Sequence, residues 1–280
     1  MNQALAHFIQ QAIAEDTAQI GDITTMATIS KDQVGQAHFL VKEDCIIAGV
    51  EMVRCIAEII DINLNVEFKV QDGDAVHQHQ AIGQLQGQIH SILLAERLML
   101  NCMQRMSGIA TKTHQLKSMI AAYPAKILDT RKTTPNFRIA EKWAVRIGGG
   151  VNHRFGLYDM ILIKDNHIKA AGGVRLALEA TRIYCATEKM NLPVVVEVKN
   201  QEELLEALAF NFVTRILLDN MTPATVATMV AINQNKKPLE VSGGVNQDNI
   251  MAYAATGVDF ISIGDLTHHI ESVDISLKIV

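Results

Sequence analysis

The fold is decided by residues 127–168, which read ILDTRKTTPNFRIAEKWAVRIGGGVNHRFGLYDMILIKDNHI. Two short β-like runs, 125–129 and 160–164, each end in polar and charged residues, and a helix-like segment and the GGGVNHR loop separate them. The stretch has seven Lys or Arg residues against four Asp or Glu, a net of +3 in a chain whose net charge is −5. This concentration of basic groups in an acidic chain indicates that an anionic substrate binds here.

The same alternation of strand and helix continues to the end of the chain. The apolar runs AKILD, MILIK, VVVEV, RILLD, LEVSG and FISIG alternate with helix-like segments, which is typical of parallel strands buried on both faces. From Glu197 onward, the polar strand ends lie 22 or 23 residues apart, enough for a strand, a helix and two short loops. A doubly wound sheet gives this pattern too, but a barrel is favoured because every strand ends in a polar or glycine residue.

The N-terminal part of the chain has a different pattern. A helical face at residues 3–14, β runs between 38 and 88 and a helix at 51–60 predict a small α+β unit. A long helix is predicted at 91–123, and we expect Ser107-Gly108 to interrupt it. The polar residues of this helix are interpreted as a solvated face: Glu96, Arg97, Asn101 and Arg105.

Composition excludes several classes of protein. The 280 residues can bury a full core, and no apolar run is long enough for a transmembrane helix. The N-terminus lacks the features of a signal peptide, and the four cysteines show no CxxC spacing, so we expect reduced thiols in a cytoplasm. A mildly acidic chain with one Trp and no basic arm is a poor candidate for nucleic-acid binding.

In a barrel, the carboxyl ends of the strands meet at one mouth. The SGG and IGD turns follow the last two strands and precede helices, which predicts a phosphate-binding cradle. Arginines there can grip a second anion through two bonds, whereas a lysine is a point charge or, alternatively, a Schiff-base nucleophile. The predicted mouth contains Thr130, Arg131, Lys132, His153, Arg154, Lys164, Glu197, Asp219, Ser242, Gly243, Gly244, Gly264 and Asp265.

Glu197 and Asp219 end consecutive strands, so we expect their carboxylates to lie close together. Two carboxylates facing a phosphate-rich ligand can hold Mg²⁺ or stabilise a developing oxocarbenium ion. A structural role, in which they form ion pairs with neighbouring lysines, is the alternative. His167 and His268 are interpreted as oriented structural histidines, not as general bases.

At this point the motifs resemble a known family, the quinolinate phosphoribosyltransferases, also called nicotinate-nucleotide pyrophosphorylases (carboxylating). The resemblance runs from the GDITT segment to the end of the chain, and the combination of DTRKT, GGG-NHR and KDNH is highly specific. The other matching motifs are AERLMLN, SGIAT, VEV, LLDNM, EVSGG and GVDFISIG.

The resemblance implies an α/β fold in two domains. An N-terminal α+β sandwich at 1–104, joined by the returning tail 271–280, precedes an incomplete TIM-like barrel at 105–270. The implied reaction couples quinolinate to phosphoribosyl pyrophosphate (PRPP), requires Mg²⁺, and yields nicotinate mononucleotide, pyrophosphate and CO₂ for NAD biosynthesis. The family works as a homodimer or a multiple of it, so Arg97 is expected to reach into the partner's site.

The resemblance also implies a role for each residue at the mouth. Arg131, His153, Arg154 and Lys164, with Arg97 of a second subunit, would bind the quinolinate carboxylates, and Lys132 and Lys164 would meet pyrophosphate oxygens. Glu197 and Asp219 would face the ribose and its Mg²⁺. The 5′-phosphate would lie at Ser242–Gly244 and Gly264, with Thr130 also at the site.

One residue departs from the family pattern, because Asp265 stands where the family usually has a small residue. Its carboxylate would repel a phosphate unless it points away, caps the next helix or meets a metal. Three other functions stay open from the sequence. They are a related transferase acting on nicotinate or another acid, including the homologue linked to molybdate transport; a Schiff-base aldolase; and a phosphosugar-binding module without catalysis.

Overall fold

The computed structural model describes residues 3–18 and 20–280, and it divides into two compact units. The first contains residues up to 114 together with 133–149 and 266–280, and the second contains 115–132 and 150–265. The sequence-based ranges are 1–104 with the returning tail 271–280, and 105–270; the first unit likewise includes the end of the chain, and it also includes 133–149. Among the described residues, no helix is long and apolar enough to cross a membrane.

Helices and strands are numbered in chain order. The helices are α1 (Gln3–Thr17), α2 (Ile23–Thr28), α3 (Val50–Ile60), α4 (Ile89–Met119), α5 (Arg138–Ile147), α6 (Asp165–Ala171), α7 (Val174–Thr187), α8 (Gln201–Leu208), α9 (Pro223–Asn233), α10 (Ile250–Ala254) and α11 (Asp265–His268). The strands are β1 (Val34–Val41), β2 (Cys45–Ile46), β3 (Asn65–Phe68), β4 (Ala75–Val76), β5 (Ala81–Gln88), β6 (Lys126–Leu128), β7 (Ile161–Ile163), β8 (Val194–Val198), β9 (Arg215–Asp219), β10 (Leu239–Ser242), β11 (Phe260–Ser262) and β12 (Ile275–Ile279).

The first unit is built on an antiparallel sheet with the strand order β12-β1-β5-β3. The last strand, β12, pairs with β1, so that the C-terminal tail completes the sheet of the N-terminal region. Alternate residues of β1, namely Ala37, Phe39 and Val41, are fully buried, as are Met99 and Met103 of α4. The helical spacing of apolar residues in α4 thus reflects core packing.

Helix α4 runs without a break through Ser107-Gly108, so the predicted interruption was wrong. The buried Ser107 hydroxyl accepts a hydrogen bond from the Ala48 N–H (2.9 Å) and lies 3.2 Å from the Ala48 carbonyl oxygen, to which it donates. A Cβ at position 108 would lie 2.1 Å from the Glu271 carbonyl oxygen. The two small residues therefore allow neighbouring backbone to approach the helix, and tertiary packing outweighs the low helix propensity of glycine.

The second unit is built on a parallel sheet with the strand order β6-β11-β10-β9-β8-β7. All six strands were predicted from the sequence and are confirmed. The first strand lies beside the last, as in a barrel, but in the described chain β6 does not pair with β7; Val151 instead forms a bridge to Leu128. All five residues of β8 are buried, as expected for a parallel strand covered on both faces. This order confirms the prediction of an incomplete barrel.

Candidate active site

The carboxyl ends of the parallel strands bring polar side chains to one edge of the sheet in the second unit. In the register of β9 and β10, Asp219 lies opposite Ser242, whose hydroxyl is 3.2 Å from Asp219 Oδ1. In the register of β8 and β9, Glu197 lies opposite Leu217, two residues before Asp219. Side chains two residues apart in a strand share a face, so the Glu197 and Asp219 carboxylates face the same side.

The electrostatics of Glu197 show that these two carboxylates interact. Burial raises the pKa of Glu197, and the charges of Asp219 and Asp165 raise it further. The Asp165 backbone N–H, which donates a hydrogen bond to Glu197, and the charge of Lys164 act in the opposite direction without cancelling the increase. Only 7% of Glu197 is exposed, so little water screens the repulsion. The arrangement suits a cation placed between the two carboxylates.

Two arginines of the second unit, Arg131 and Arg154, also lie close enough for their charges to repel each other. Burial lowers the pKa of Arg154, and the positive charge of Arg131 lowers it further, against the opposing charge of Asp159. Arg131 is exposed and Arg154 is partly buried, and the Arg154 Nη1 group lies 3.4 Å from the Met160 carbonyl oxygen. Two guanidinium groups that repel each other fit an anion that can accept bonds from both.

The GGGVNHR loop is fixed by the buried carboxylate of Asp129, the residue directly after β6. Asp129 Oδ1 accepts the His153 backbone N–H at 2.8 Å, and Oδ2 accepts a hydrogen bond from the Asn152 side-chain amide. On the far side of the loop, Asp159 accepts the backbone N–H groups of Phe155 and Gly156 at 2.7 and 2.9 Å. Anchors on both sides determine where Arg154 emerges from the loop.

His153 is buried, and both of its ring nitrogens have partners within the second unit. Nδ1 accepts the Arg154 backbone N–H at 2.7 Å, and Nε2 lies 3.4 Å from Oε1 of the buried Glu240. A direct bond from His153 to a substrate carboxylate, which the family resemblance implies, requires one of these partners to be exchanged.

The lysines of the predicted mouth lie at the surface of the second unit. Lys132 and Lys164 are exposed, and each follows a strand. The Lys132 N–H donates to Thr130 Oγ1 at 3.0 Å, and the Lys164 N–H donates to Nδ1 of His167 at 3.0 Å. His167 thus organises the first turn of α6, consistent with the structural role predicted for it.

The first glycine turn has the backbone geometry that allows a ligand to approach the main chain closely. Gly243 and Gly244 have φ values of +97° and +63°, in the left-handed region that favours glycine. A Cβ at 243 would lie 2.1 Å from Asn220 Oδ1, whereas a Cβ at 244 would meet no atom within 4 Å. The backbone at Gly244 therefore faces open space. The second turn, at Gly264, leads into α11, whose first residue is Asp265.

Comparison with known proteins places these features in one family. The family model for the C-terminal domain of quinolinate phosphoribosyl transferase matches residues 109–278, and the model for the N-terminal domain matches residues 22–107. The chain belongs to the quinolinate phosphoribosyltransferase family.

Individual members of the quinolinate phosphoribosyltransferase family are similar over nearly the full length of this chain. Quinolinate phosphoribosyltransferase (decarboxylating) 1b of Nicotiana tabacum is 45% identical, across 97% of this chain and 81% of that protein. The probable nicotinate-nucleotide pyrophosphorylase (carboxylating) of Bacillus subtilis is 38% identical, across 100% and 93%. The solved structure of the nicotinate-nucleotide pyrophosphorylase from Francisella tularensis superimposes with a TM-score of 0.90 at 39% identity, covering 100% and 97% of the two chains.

Sequence reasoning missed one cation at the carboxyl ends of the parallel strands. Lys199, just after β8, lies 3.2 Å from Asp165, and this hydrogen bond is the main reason that the pKa of Lys199 is raised and that of Asp165 is lowered. The charges of Glu197 and Asp219 also raise the pKa of Lys199. Its position two residues beyond Glu197 was the available signal, since it follows a predicted strand end.

Two arginines of α4, in the first unit, differ in exposure and in ion pairing, although the sequence places both on one solvated face. Arg97 is exposed. Arg105 was assigned to the same solvated face, but it forms an ion pair with the fully buried Glu141 of α5, with Nε and Nη2 at 2.9 and 2.7 Å from Oε1. Arg105 also donates to Thr134 Oγ1 at 2.6 Å. It therefore stabilises the segment between the DTRK and GGGVNHR motifs.

Proposed function

We propose that this protein transfers the phosphoribosyl group of PRPP to quinolinate with decarboxylation, giving nicotinate mononucleotide, pyrophosphate and CO₂ in NAD biosynthesis. The observation that carries the proposal is a pair of mutually repelling arginines and a pair of mutually repelling carboxylates in the same parallel-sheet unit of a chain from this family. The arginines suit a dicarboxylate, and the carboxylates suit a ribosyl group that gains positive charge.

Quinolinate is bound through its two carboxylates. Arg131 and Arg154 supply two planar guanidinium groups, each able to grip a carboxylate through parallel hydrogen bonds. Lys164 adds a point charge from the end of β7, His153 adds its imidazole, and Arg97 of a second subunit completes the set. Relief of the repulsion between Arg131 and Arg154 contributes to binding, because the dianion neutralises both charges.

PRPP is bound by charge at one end and by backbone at the other. Lys132 and Lys164 meet the pyrophosphate oxygens, and Thr130 lies beside them. The 5′-phosphate lies against the Ser242–Gly244 and Gly264 turns. Gly243 and Gly244 have left-handed backbone, and the backbone at Gly244 faces open space. Asp265, at the first position of α11, has a carboxylate where helix N-termini favour acids, which allows it to face away from the phosphate.

The carboxylates of Glu197 and Asp219 fit a magnesium ion, because Mg²⁺ prefers oxygen ligands and the two carboxylates repel each other in spite of the positive charge of Lys164 nearby. Among the described residues, no group of three or more His, Cys, Asp or Glu side chains forms a complete metal site. One or two carboxylates with substrate phosphates are the usual Mg²⁺ ligands in such sites. Bound in this way, Mg²⁺ would neutralise charge on the pyrophosphate.

The reaction follows from these positions. The bond between the anomeric carbon and the pyrophosphate oxygen breaks and its electron pair leaves with pyrophosphate, while Glu197 and Asp219 stabilise the positive charge on the ribose. The lone pair of quinolinate N1 then forms the new bond to the anomeric carbon. The cationic ring accepts the electron pair of the departing 2-carboxylate, CO₂ is lost, and a proton takes its place at C2. Positioning and electrostatic stabilisation supply the catalysis, and no dedicated base is needed.

The active enzyme is a homodimer, or a multiple of it, that works in the cytoplasm. Exposure of Arg97 supports a shared site, and the four free cysteines are consistent with a reducing compartment. Arg97→Ala and Arg154→Ala should each abolish activity alone, whereas mixing the two variants should restore part of it, because a mixed dimer retains one intact site. Mixed dimers that form but recover no activity would mean that the site lies within one subunit.

The substrate is tested by product analysis with purified protein, PRPP and Mg²⁺. With quinolinate we expect nicotinate mononucleotide and equimolar pyrophosphate, and with nicotinate we expect neither, because nicotinate has one carboxylate for a site built for two. Ribosylation of nicotinate alone would favour the related-transferase alternative. Borohydride trapping of a carbonyl substrate on Lys164 would instead support the aldolase alternative.

A further inference from the structure

We propose that Lys199 is a further substrate-binding residue, which exchanges its bond to Asp165 for a bond to the pyrophosphate group of PRPP when that substrate enters the site. The inference rests on the proposed function, because it adds one cation to the PRPP site of that function. The site as described so far assigns the pyrophosphate oxygens to Lys132 and Lys164 and gives Lys199 no role.

Lys199 lies at the carboxyl ends of the parallel strands. It follows β8 directly, two residues after Glu197, and its Nζ lies 3.2 Å from Oδ2 of Asp165. Asp165 is the first residue of α6, which begins just after β7. The Lys199 side chain therefore spans the space between the ends of two neighbouring strands, at the edge of the sheet where the substrate is expected.

The backbone of Lys199 is held by the start of α8. Its N–H donates to Oε2 of Glu203 at 2.7 Å, and the Glu203 N–H donates in turn to Oδ1 of Asn200, the N-cap of the helix, at 2.9 Å. These side-chain bonds fix the turn between β8 and α8. The main chain of Lys199 is thus anchored, whereas its flexible side chain can change partners.

The charges around Lys199 place it beside the carboxylates of the site. The hydrogen bond to Asp165 is the main reason that the pKa of Lys199 is raised, and the charges of Glu197 and Asp219 raise it further. Apart from burial, the pKa of Glu197 responds to the charges of Asp219, Asp165 and Lys164. Lys164 and Lys199 therefore flank the same carboxylates, and a pyrophosphate group bound by Lys164 is expected within reach of Lys199.

The bond between Lys199 and Asp165 is suited to exchange. The two side chains are 51% and 47% exposed, and ion pairs with this exposure contribute little to stability because water screens them. A pyrophosphate group carries more negative charge than one carboxylate and offers more acceptor oxygens to an ammonium group. The alternative is a purely structural bond that ties α6 to the end of β8.

Direct binding separates these two roles without requiring the reaction. In isothermal titration calorimetry with excess Mg²⁺, Lys199→Gln should weaken the binding of inorganic pyrophosphate about 5- to 20-fold, less than a fully buried bond to a charged group because water screens the side chain. The binding of ribose 5-phosphate should change by less than about twofold, and Lys199→Arg should retain most of the pyrophosphate affinity. Unchanged pyrophosphate affinity, or equal losses for the two ligands, would overturn the proposal.

The matched control is Lys169→Gln, which removes an exposed cation one turn further along α6. It should leave the pyrophosphate affinity within about twofold of wild type, and equal losses in the two variants would mean that only net charge matters. Thermal unfolding tests the structural alternative. Lys199→Gln should keep the Tm within about 2 °C of wild type, and a larger decrease with unchanged pyrophosphate affinity would assign the bond to structure alone.

Steady-state kinetics connect the residue to the proposed reaction. Lys199→Gln should lower kcat/KM for PRPP about 5- to 20-fold and leave the KM for quinolinate within about threefold. A wild-type protein that reacts, with no change in kcat/KM for PRPP in the variant, would overturn the role of Lys199 and leave the proposed function standing. A wild-type protein that does not react, but binds pyrophosphate through Lys199, would refute the proposed function and support the binding role.

Discussion

Removing Arg105 should destabilise the protein more than removing a comparable surface arginine. Arg105→Ala breaks two contacts to Glu141 and one to Thr134, and it leaves a carboxylate with 0% exposure without its cation. Breaking a buried pair on one side typically costs about 3–5 kcal/mol. Because 32% of the Arg105 side chain is exposed and the Thr134 N–H still donates to Glu141 Oε2 (3.1 Å), water and backbone offset part of this cost. We expect a loss of about 2–3 kcal/mol in the free energy of unfolding.

The measurement is urea unfolding followed by circular dichroism, with thermal unfolding as a second reading. A loss of this size corresponds to a decrease in Tm of about 4–12 °C for a chain of this length. The matched control is Arg54→Ala, because Arg54 and Glu51 also form an ion pair but have 43% and 53% of their side chains exposed. Such a surface pair contributes about 0–1 kcal/mol. If Arg105→Ala costs no more than Arg54→Ala, the burial argument is refuted.

Three further changes test other parts of the structure. Glu197→Gln should lower turnover and raise the Tm of the ligand-free protein. Because the pKa of Glu197 is raised in the folded protein, the wild-type protein loses stability as pH rises through that pKa, and the neutral Gln avoids this loss; the gain in Tm should therefore shrink as pH falls. A gain in Tm that does not depend on pH would contradict the repulsion between the carboxylates. Gly108→Ala should destabilise by about 1–3 kcal/mol in urea unfolding, despite better helix propensity, because the new Cβ would meet the Glu271 carbonyl oxygen; a stabilised variant would show that the close contact relaxes without cost. Asp219→Asn should lower kcat far more than quinolinate affinity, as measured by steady-state kinetics and equilibrium binding, and equal losses would exclude a charge-stabilising role.

The sequence predicted the parallel-sheet unit well because its signals are local. Each strand is a short apolar run that ends in a polar residue or glycine, and burial on both faces leaves few other interpretations for such runs. The same property brought Glu197, Asp219 and Ser242 together at one edge, since the carboxyl ends of parallel strands coincide. The sequence was therefore sufficient to predict that residues at the ends of neighbouring parallel strands lie close together.

The errors concern interactions between residues that are distant in the sequence. Gly108 looks like a helix breaker in isolation, but a segment more than 160 residues later packs against it. Arg105 looks solvated because its partner, Glu141, lies 36 residues away in α5. Propensity and periodicity describe each segment alone, and tertiary contacts decide both of these cases.

The most direct test of the proposed reaction uses quinolinate labelled with ¹⁴C in the 2-carboxylate, together with PRPP and Mg²⁺. The proposed mechanism predicts that labelled CO₂ is released only when all three are present, in amounts equal to the nicotinate mononucleotide formed, and that Arg154→Ala abolishes the release. Ribosylation of the pyridine without release of labelled CO₂, or release of label without PRPP, would contradict the proposal that transfer to N1 drives decarboxylation.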